Sequence, residues 1–360
     1  MTALTRLAFG GLDAIAERAA EARSVSRALG WPLLAVVLAL ALTALLILAA
    51  GKNPLLAYAA LVRGALGSWD RIGVGLNKAT PYVLTGVGVA LCFRAKVINI
   101  GGEGQIALGG LAATWMALTF PQAPPLALPL LALAAGAVAG AGWAALAAII
   151  RLRRNVHEVL VTLLLNFVGV LIVSEALQGT LGEPGAGFPQ SPLLPRAAWL
   201  PRLPGSDLHL GILVAVVVVV AGHALLWRAP FGFRLRVLGA SVPAATYAGI
   251  SEPRTLLGVM SLAGALAGLA GGVEVLGVHY RLIEGFSHGF GFNAVAIALL
   301  GALNPIAVLP AGLFFGFLET GALAMQRAIG VPSSLVSVIQ GLTMVFILAS
   351  MGLSARRSRA

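Results

Sequence analysis

Residues 93–105 read Phe-Arg-Ala-Lys-Val-Ile-Asn-Ile-Gly-Gly-Glu-Gly-Gln, and they interrupt two long apolar runs. The amides Asn99 and Gln105, the carboxylate Glu103 and a cluster of glycines stand where a membrane helix would otherwise continue. Main chain at membrane depth must satisfy its own polar groups unless protein or a wet cavity surrounds it. The stretch therefore reads as a discontinuous helix beside a pathway, with a tight cytoplasmic turn as the plain alternative.

Composition carries the same message. Of 360 residues, 59% are hydrophobic and only 10% charged, against about 25% charged in soluble domains. The fold class is therefore all-α and polytopic, in a membrane. The 45 glycines agree, because small residues let membrane helices approach closely. The net charge of +11 is a topology signal rather than a sign of nucleic-acid binding. A single cysteine, Cys92, excludes an intrachain disulfide and a cysteine-rich metal site.

Charge-free stretches of about 20 residues mark candidate spans. Residues 1–27 form a cytoplasmic lead-in, 28–355 the transmembrane domain and 356–360 a basic tail. The first span lies between Arg27 and Lys52, and 52–78 reads as an interfacial loop. Span two runs from Pro81 to Phe93, and spans three and four divide at Pro121–Pro125. Span five starts at Asn155, where Glu158 completes a capping-box spacing. Residues 178–209, rich in proline and glycine, form an extracytoplasmic loop. Span six is 210–227 and span seven 256–278, followed by a second Gly-rich break at 280–291. Spans eight and nine part at Asn304-Pro305, span eight being the one short enough for a re-entrant half-helix, and span ten occupies 331–354. Ten spans place both termini on one side. That side carries about twice the Lys and Arg of the other, which makes it cytoplasmic. The breaks follow spans two and seven, so an inverted 5+5 repeat with broken helices near the pathway is expected.

Two Gly-x-Gly-x-x-Ala matches, at 102–107 and 289–294, follow no soluble strand and are rejected as dinucleotide fingerprints. No Walker-type Gly-x-x-x-x-Gly-Lys-Ser/Thr occurs, so ATP and Mg, if used, sit on another subunit and this chain holds no cofactor. Gly264, Gly268 and Gly272 share one face of span seven and read as a packing seam. Intramembrane carboxylates are functional candidates by default: Glu103 first, then Glu274, with Glu319 and Glu175 near other helix ends. Asn166 offers an amide to a polar solute or to a neighbouring helix, and Asn293 joins the path candidates beside the second break. The five histidines lack metal-ligand spacing and no catalytic constellation stands out, so the chain reads as a non-enzyme.

The basic segment 228–254 contains Gly239, Ser241, Pro243, Ala244, Ala245, Tyr247, Ala248 and Gly249. Ser241 suits a cap, Pro243 a first turn and Gly249 a stop. A helix of about two turns with a smooth small-residue face results, either a knob for a partner's cleft or an ordinary connector.

The 93–105 stretch resembles the permease subunits of bacterial ABC importers. More closely, it is similar to the nucleoside (guanosine-type) uptake branch of the branched-chain amino acid/simple-sugar permease superfamily. Residues 155–166, 239–250 and 291–301 are similar to that branch and occur in its order; Gly102 departs from it, standing where an apolar residue is usual. The resemblance implies that Gly239–Ile250 is the coupling helix of an ABC ATPase with two nucleotide-binding halves. It also implies a second related permease chain in a heterodimer, an extracytoplasmic solute-binding lipoprotein and the bacterial inner membrane. Simple sugars and branched-chain amino acids are alternative solutes. A cation-coupled secondary transporter and a purely structural subunit are the alternative classes.

Overall fold

The computed structural model describes residues 37–287 and 289–330, with positions 335, 337, 338, 340–342, 345 and 346. The expected lead-in, the basic tail and most of span ten lie outside the described residues. The chain divides into two units, residues 1–58 with 326–360, and residues 59–325. In the first, α1 (Val37–Ala49) carries Thr43, whose hydroxyl donates to Ala39 O at 2.7 Å.

The second unit holds the rest, beginning within α2 (Pro54–Leu66) and ending within α12 (Pro305–Ile329). Between them run α3 (Trp69–Arg94), α4 (Gly102–Thr119), α5 (Ala127–Arg154) and α6 (Glu158–Gln178). Then follow α7 (Gly211–Arg228), α8 (Pro230–Ala240), α9 (Val242–Tyr247), α10 (Glu252–Glu274) and α11 (Phe290–Leu300). Five helices among the described residues are long and apolar enough to cross a membrane, or six if the pair either side of residues 50–53 is one span. The chain is an all-α multi-pass membrane protein.

α10 is the hub, packed on α3, α4 and α5. Its glycines permit this. A Cβ on Gly264 would lie 2.2 Å from the Gly140 carbonyl oxygen, and one on Gly268 2.1 Å from that of Gly136. Gly109 of α4 meets Gly268 from another side, its added Cβ only 2.3 Å from the Gly268 Cα. Gly272 faces Leu133 and Ala113 instead. Backbone against backbone leaves no side chain to move aside, and dispersion rather than hydrophobic expulsion holds helices together in lipid.

Several boundaries differ from the sequence expectation. Residues 52–78 are largely helical, not an interfacial loop, and α3 continues through Lys78 and Pro81. Asn77 and Lys78 find their partners inside the protein. Asn77 donates to Asp207 O at 2.7 Å and accepts from His209 N at 3.1 Å, so polarity does not end the helix. Asn155 is not the N-cap of span five. It takes a left-handed φ of 52° and closes α5 by donating to Arg151 O, a conformation asparagine tolerates. His157 caps α6 instead, its Nδ1 accepting from Val159 N at 3.3 Å.

The loop 179–210 folds over the second break. Ser191 N, Leu194 N and Leu200 N donate to Leu282, Tyr280 and Leu276 carbonyls at 2.8–3.0 Å. Trp199 stacks on Tyr280 with ring centroids 4.1 Å apart.

Candidate functional site

Both Gly-rich breaks are real interruptions, and they meet. After α3, residues 95–101 are non-helical, and α4 starts beside Thr85, well inside α3. A Cβ on Gly102 would lie 3.1 Å from Thr85 Cγ2 and 3.0 Å from Gly291 Cα. That close approach of two helix starts accounts for the glycine at 102. From α4, Glu103 reaches across to the second break, accepting from Gly289 N at 3.1 Å, Gly291 N at 2.9 Å and the Ser287 hydroxyl. Its carboxylate thus sits on the first turn of α11, where a negative charge is favoured by the helix dipole.

The amides serve the first break itself. Asn99 Oδ1 accepts from Gly101 N at 2.9 Å and from Gln105 Nε2 at 3.2 Å. Asn166 Oδ1 accepts from Gly104 N, and its Nδ2 donates to Ile100 O, both at 2.8 Å. All three amides are buried. Asn99 and Asn166 hold main chain that a helix would have satisfied, and Gln105 braces Asn99.

A second set of polar side chains lies along α3. Lys78, Tyr82 and Thr85 follow at i, i+4 and i+7, one helix face. Lys78 Nζ stands 3.5 Å from Glu274 Oε1 and 3.6 Å from Glu319 Oε1. Tyr82 donates to Glu319 Oε2 at 2.9 Å and receives Asn293 Nδ2 at 3.3 Å. Its ring meets Phe290 edge-on at 4.8 Å, and Lys78 lies 5.3 Å from the same Phe290 ring. After Glu274 the helix widens to a π-turn over Val275–His279. This returns His279 Nε2 to 3.3 Å from Glu274 Oε1. π-turns of this kind gather at functional sites. The result is a polar stripe from Lys78 to Glu103 within an apolar helix bundle.

Sequence reasoning missed Lys78, Tyr82 and His279. Lys78 was assigned to a loop, although its spacing to Tyr82 and Thr85 was the available signal. Glu175 is exposed on the last turn of α6. A separate cleft at the loop end is lined by Gln178, Glu183, Phe188 and Gln190, none of them stripe residues.

At the opposite, arginine-rich end, the structure has two helices where one was expected. α8 precedes α9, and Ser241 caps α9 by accepting from Ala244 N at 3.4 Å. Gly239 abuts the end of α3, with an added Cβ 1.9 Å from Arg94 O. Gly249 takes φ +73°. Tyr247 is 98% exposed, and Pro243, Ala244 and Ala248 are exposed with it. Ala245 requires correction as a contact residue: it is buried, on the face of α9 turned toward the chain. Arg94 then ties this end to the corner that follows α11. Its guanidinium donates to Leu303 O at 2.9 Å and Ala302 O at 3.1 Å. It thereby braces two successive non-glycine residues at positive φ, a conformation that needs outside support.

The family model for the permease component of branched-chain amino acid transport systems matches residues 71–348. The chain is 38% identical to the glucose ABC transporter permease protein TsgB13 of Haloferax volcanii, over 90% of this chain and 88% of the relative. It is 36% identical to the guanosine ABC transporter permease protein NupP of Bacillus subtilis, over 89% and 92%. It is 33% identical to the nucleoside ABC transporter permease protein NupB of Lactococcus lactis, over 88% and 89%. No solved structure matches the chain. With broken helices joined at Glu103 and a family match over most of its length, the chain belongs to the branched-chain amino acid transport permease family, as the membrane permease subunit of an ABC importer.

Proposed function

We propose that this subunit carries nucleosides along the stripe from Lys78 to Glu103, driven by an ATPase docked on α9. The observation that carries the reading is the meeting of two helix starts at Glu103 inside the membrane domain. Transporters build their solute sites near the bilayer midplane from discontinuous helices of this kind. Two relatives at 36% and 33% identity are named for guanosine or nucleoside transport. ATP and Mg are held by the partner ATPase, with two nucleotide-binding halves. A second related permease completes a heterodimer, as the pairing of names among the relatives NupP and NupQ supports. A solute-binding lipoprotein delivers cargo from outside to the 178–209 loop. The arginine-rich end and both termini face the cytoplasm of a bacterial cell, by the positive-inside rule.

Reconstitution of the whole importer in vesicles tests this. Labelled guanosine accumulates only with ATP inside, and the isolated chain carries nothing. Tyr247→Ala lowers ATPase association by about 30-fold or more, the loss of an exposed aromatic anchor, with membrane insertion intact. Accumulation by the isolated chain refutes the reading, as does unchanged ATPase binding by the variant.

Glucose is the second reading, favoured by the name of the Haloferax relative at 38% identity. Uptake of labelled glucose in place of guanosine in the same vesicles decides for it.

A further inference from the structure

We propose that Glu319 determines base specificity, its carboxylate accepting the paired N–H groups of a guanine-type base as the solute passes. The proposal rests on the nucleoside reading and adds to it the residue and the edge recognised.

Charge balance is the first argument. One ammonium, Lys78, is shared by two carboxylates at nearly equal distance. Glu274 is fully buried, its side chain 0% exposed, and it also has His279 beside it. It is therefore paired within the protein through Oε1 and shut away from solvent. Glu319 is different. Its side chain is 16% exposed and that of Lys78 15% exposed. Among the described residues each Glu319 oxygen has one partner, Lys78 for Oε1 and Tyr82 for Oε2. An ionised carboxylate offers about four lone-pair sites. A half-compensated carboxylate in a membrane domain is costly, and donors brought by a solute relieve that cost.

The surroundings narrow the chemistry. Two carboxylates against one lysine repel an anionic solute such as a nucleotide. Thr85 Oγ1 is buried toward the Glu103 end of the stripe with no hydrogen-bond partner among the described residues. That is a polar atom an apolar passage would not contain. Phe290 and Tyr82 supply aromatic surface beside the carboxylate, and Asn293 bonds the Tyr82 hydroxyl. The complementary solute is uncharged, flat and carries two adjacent N–H donors. Guanine presents these at N1 and its exocyclic amine. Adenine presents an unprotonated nitrogen at N1, which would face the carboxylate lone pairs.

The test uses the complete importer in ATP-loaded vesicles with guanosine and adenosine in competition. The measured quantity is their uptake ratio, which does not depend on how much complex is active. Glu319→Gln replaces one acceptor oxygen by a donor, so the guanosine preference falls by roughly 10-fold or more. Glu274→Gln, at the buried carboxylate, lowers both uptakes alike and leaves the ratio unmoved. If Glu319→Gln does not assemble, Tyr82→Phe frees Oε2 from its internal donor and raises the ratio. Nucleoside uptake with a ratio unmoved by these Glu319 and Tyr82 variants overturns the role of Glu319 alone. Wild-type vesicles that take up glucose and neither nucleoside overturn the nucleoside reading, and this proposal with it.

Discussion

Replacing Gly268 by alanine adds one methyl group where α10 packs directly on the main chain of α5. The new carbon would stand 2.1 Å from Gly136 O and 3.0 Å from both Gly136 C and Gly140 Cα. Comfortable carbon–oxygen contact begins at about 3.3 Å, so α10 and α5 must separate by about 1 Å. Every atom met is main chain, and no rotamer change relieves the clash. Overpacking of this kind costs about 1–3 kcal/mol, and the rigid walls put this case toward the upper end. Alanine recovers at most about 1 kcal/mol in helix propensity. A net loss of about 2 kcal/mol remains, roughly a 30-fold shift in the folding equilibrium. Gly142, on the same helix α5, has nothing within 4 Å of its would-be Cβ. Gly142→Ala is therefore neutral or slightly stabilising. Detergent-purified protein, unfolded by a denaturant series and followed by tryptophan fluorescence, measures both variants. Equal stability of Gly268→Ala and wild type refutes the seam argument. So does equal damage from Gly142→Ala, which would make the effect one of glycine loss in general.

Two further outcomes follow from the breaks and the loop. Glu103→Gln loses one of two acceptor oxygens where two backbone N–H groups and a hydroxyl converge. Charge-assisted bonds contribute about 1.5–3 kcal/mol each, so uptake falls at least about tenfold while native gels show an intact complex. Unchanged transport assigns Glu103 no part in the path. His209 lies in the loop outside the spanning helices, where burial pulls its imidazole from 6.5 down to about 4, against the attraction of Glu274, with Arg202 adding to the fall. The unfolded chain binds this proton first, so stability is full above about pH 6.5 and drains away as pH falls toward 4. The loss is on the order of 3 kcal/mol. Melting curves between pH 8 and 4.5 detect it, and His209→Asn, which keeps an acceptor for Gly211 N, removes that slope. A slope identical in the variant refutes the assignment.

Much of the fold was legible because lipid imposes a coarse rule. Apolar length, Arg151–Arg154 and the Pro-rich 178–209 segment marked helices and loops well. The rule failed where polar residues are satisfied internally. Lys78 and Asn77 read as part of a loop ahead of span two, since their partners Glu274 and Asp207 are distant in sequence. The break at 93–105 showed itself through its glycines and amides, but which residues serve the break and which face the solute did not. Asn99, Gln105 and Asn166 are committed to main chain and neighbouring amides, a division that only tertiary geometry reveals. Ala245 failed for a similar reason. A short alanine-rich helix has no hydrophobic stripe from which its buried side can be told.

α11 is gripped at one end by Glu103 and at its far corner by Arg94, whose own carbonyl touches the shelf leading to α9. Eleven residues of helix make a strut roughly 16 Å long, too stiff along its axis to absorb a push. Motion imposed on the Arg94 corner would thus be delivered to Glu103 as translation along the strut, not dissipated on the way.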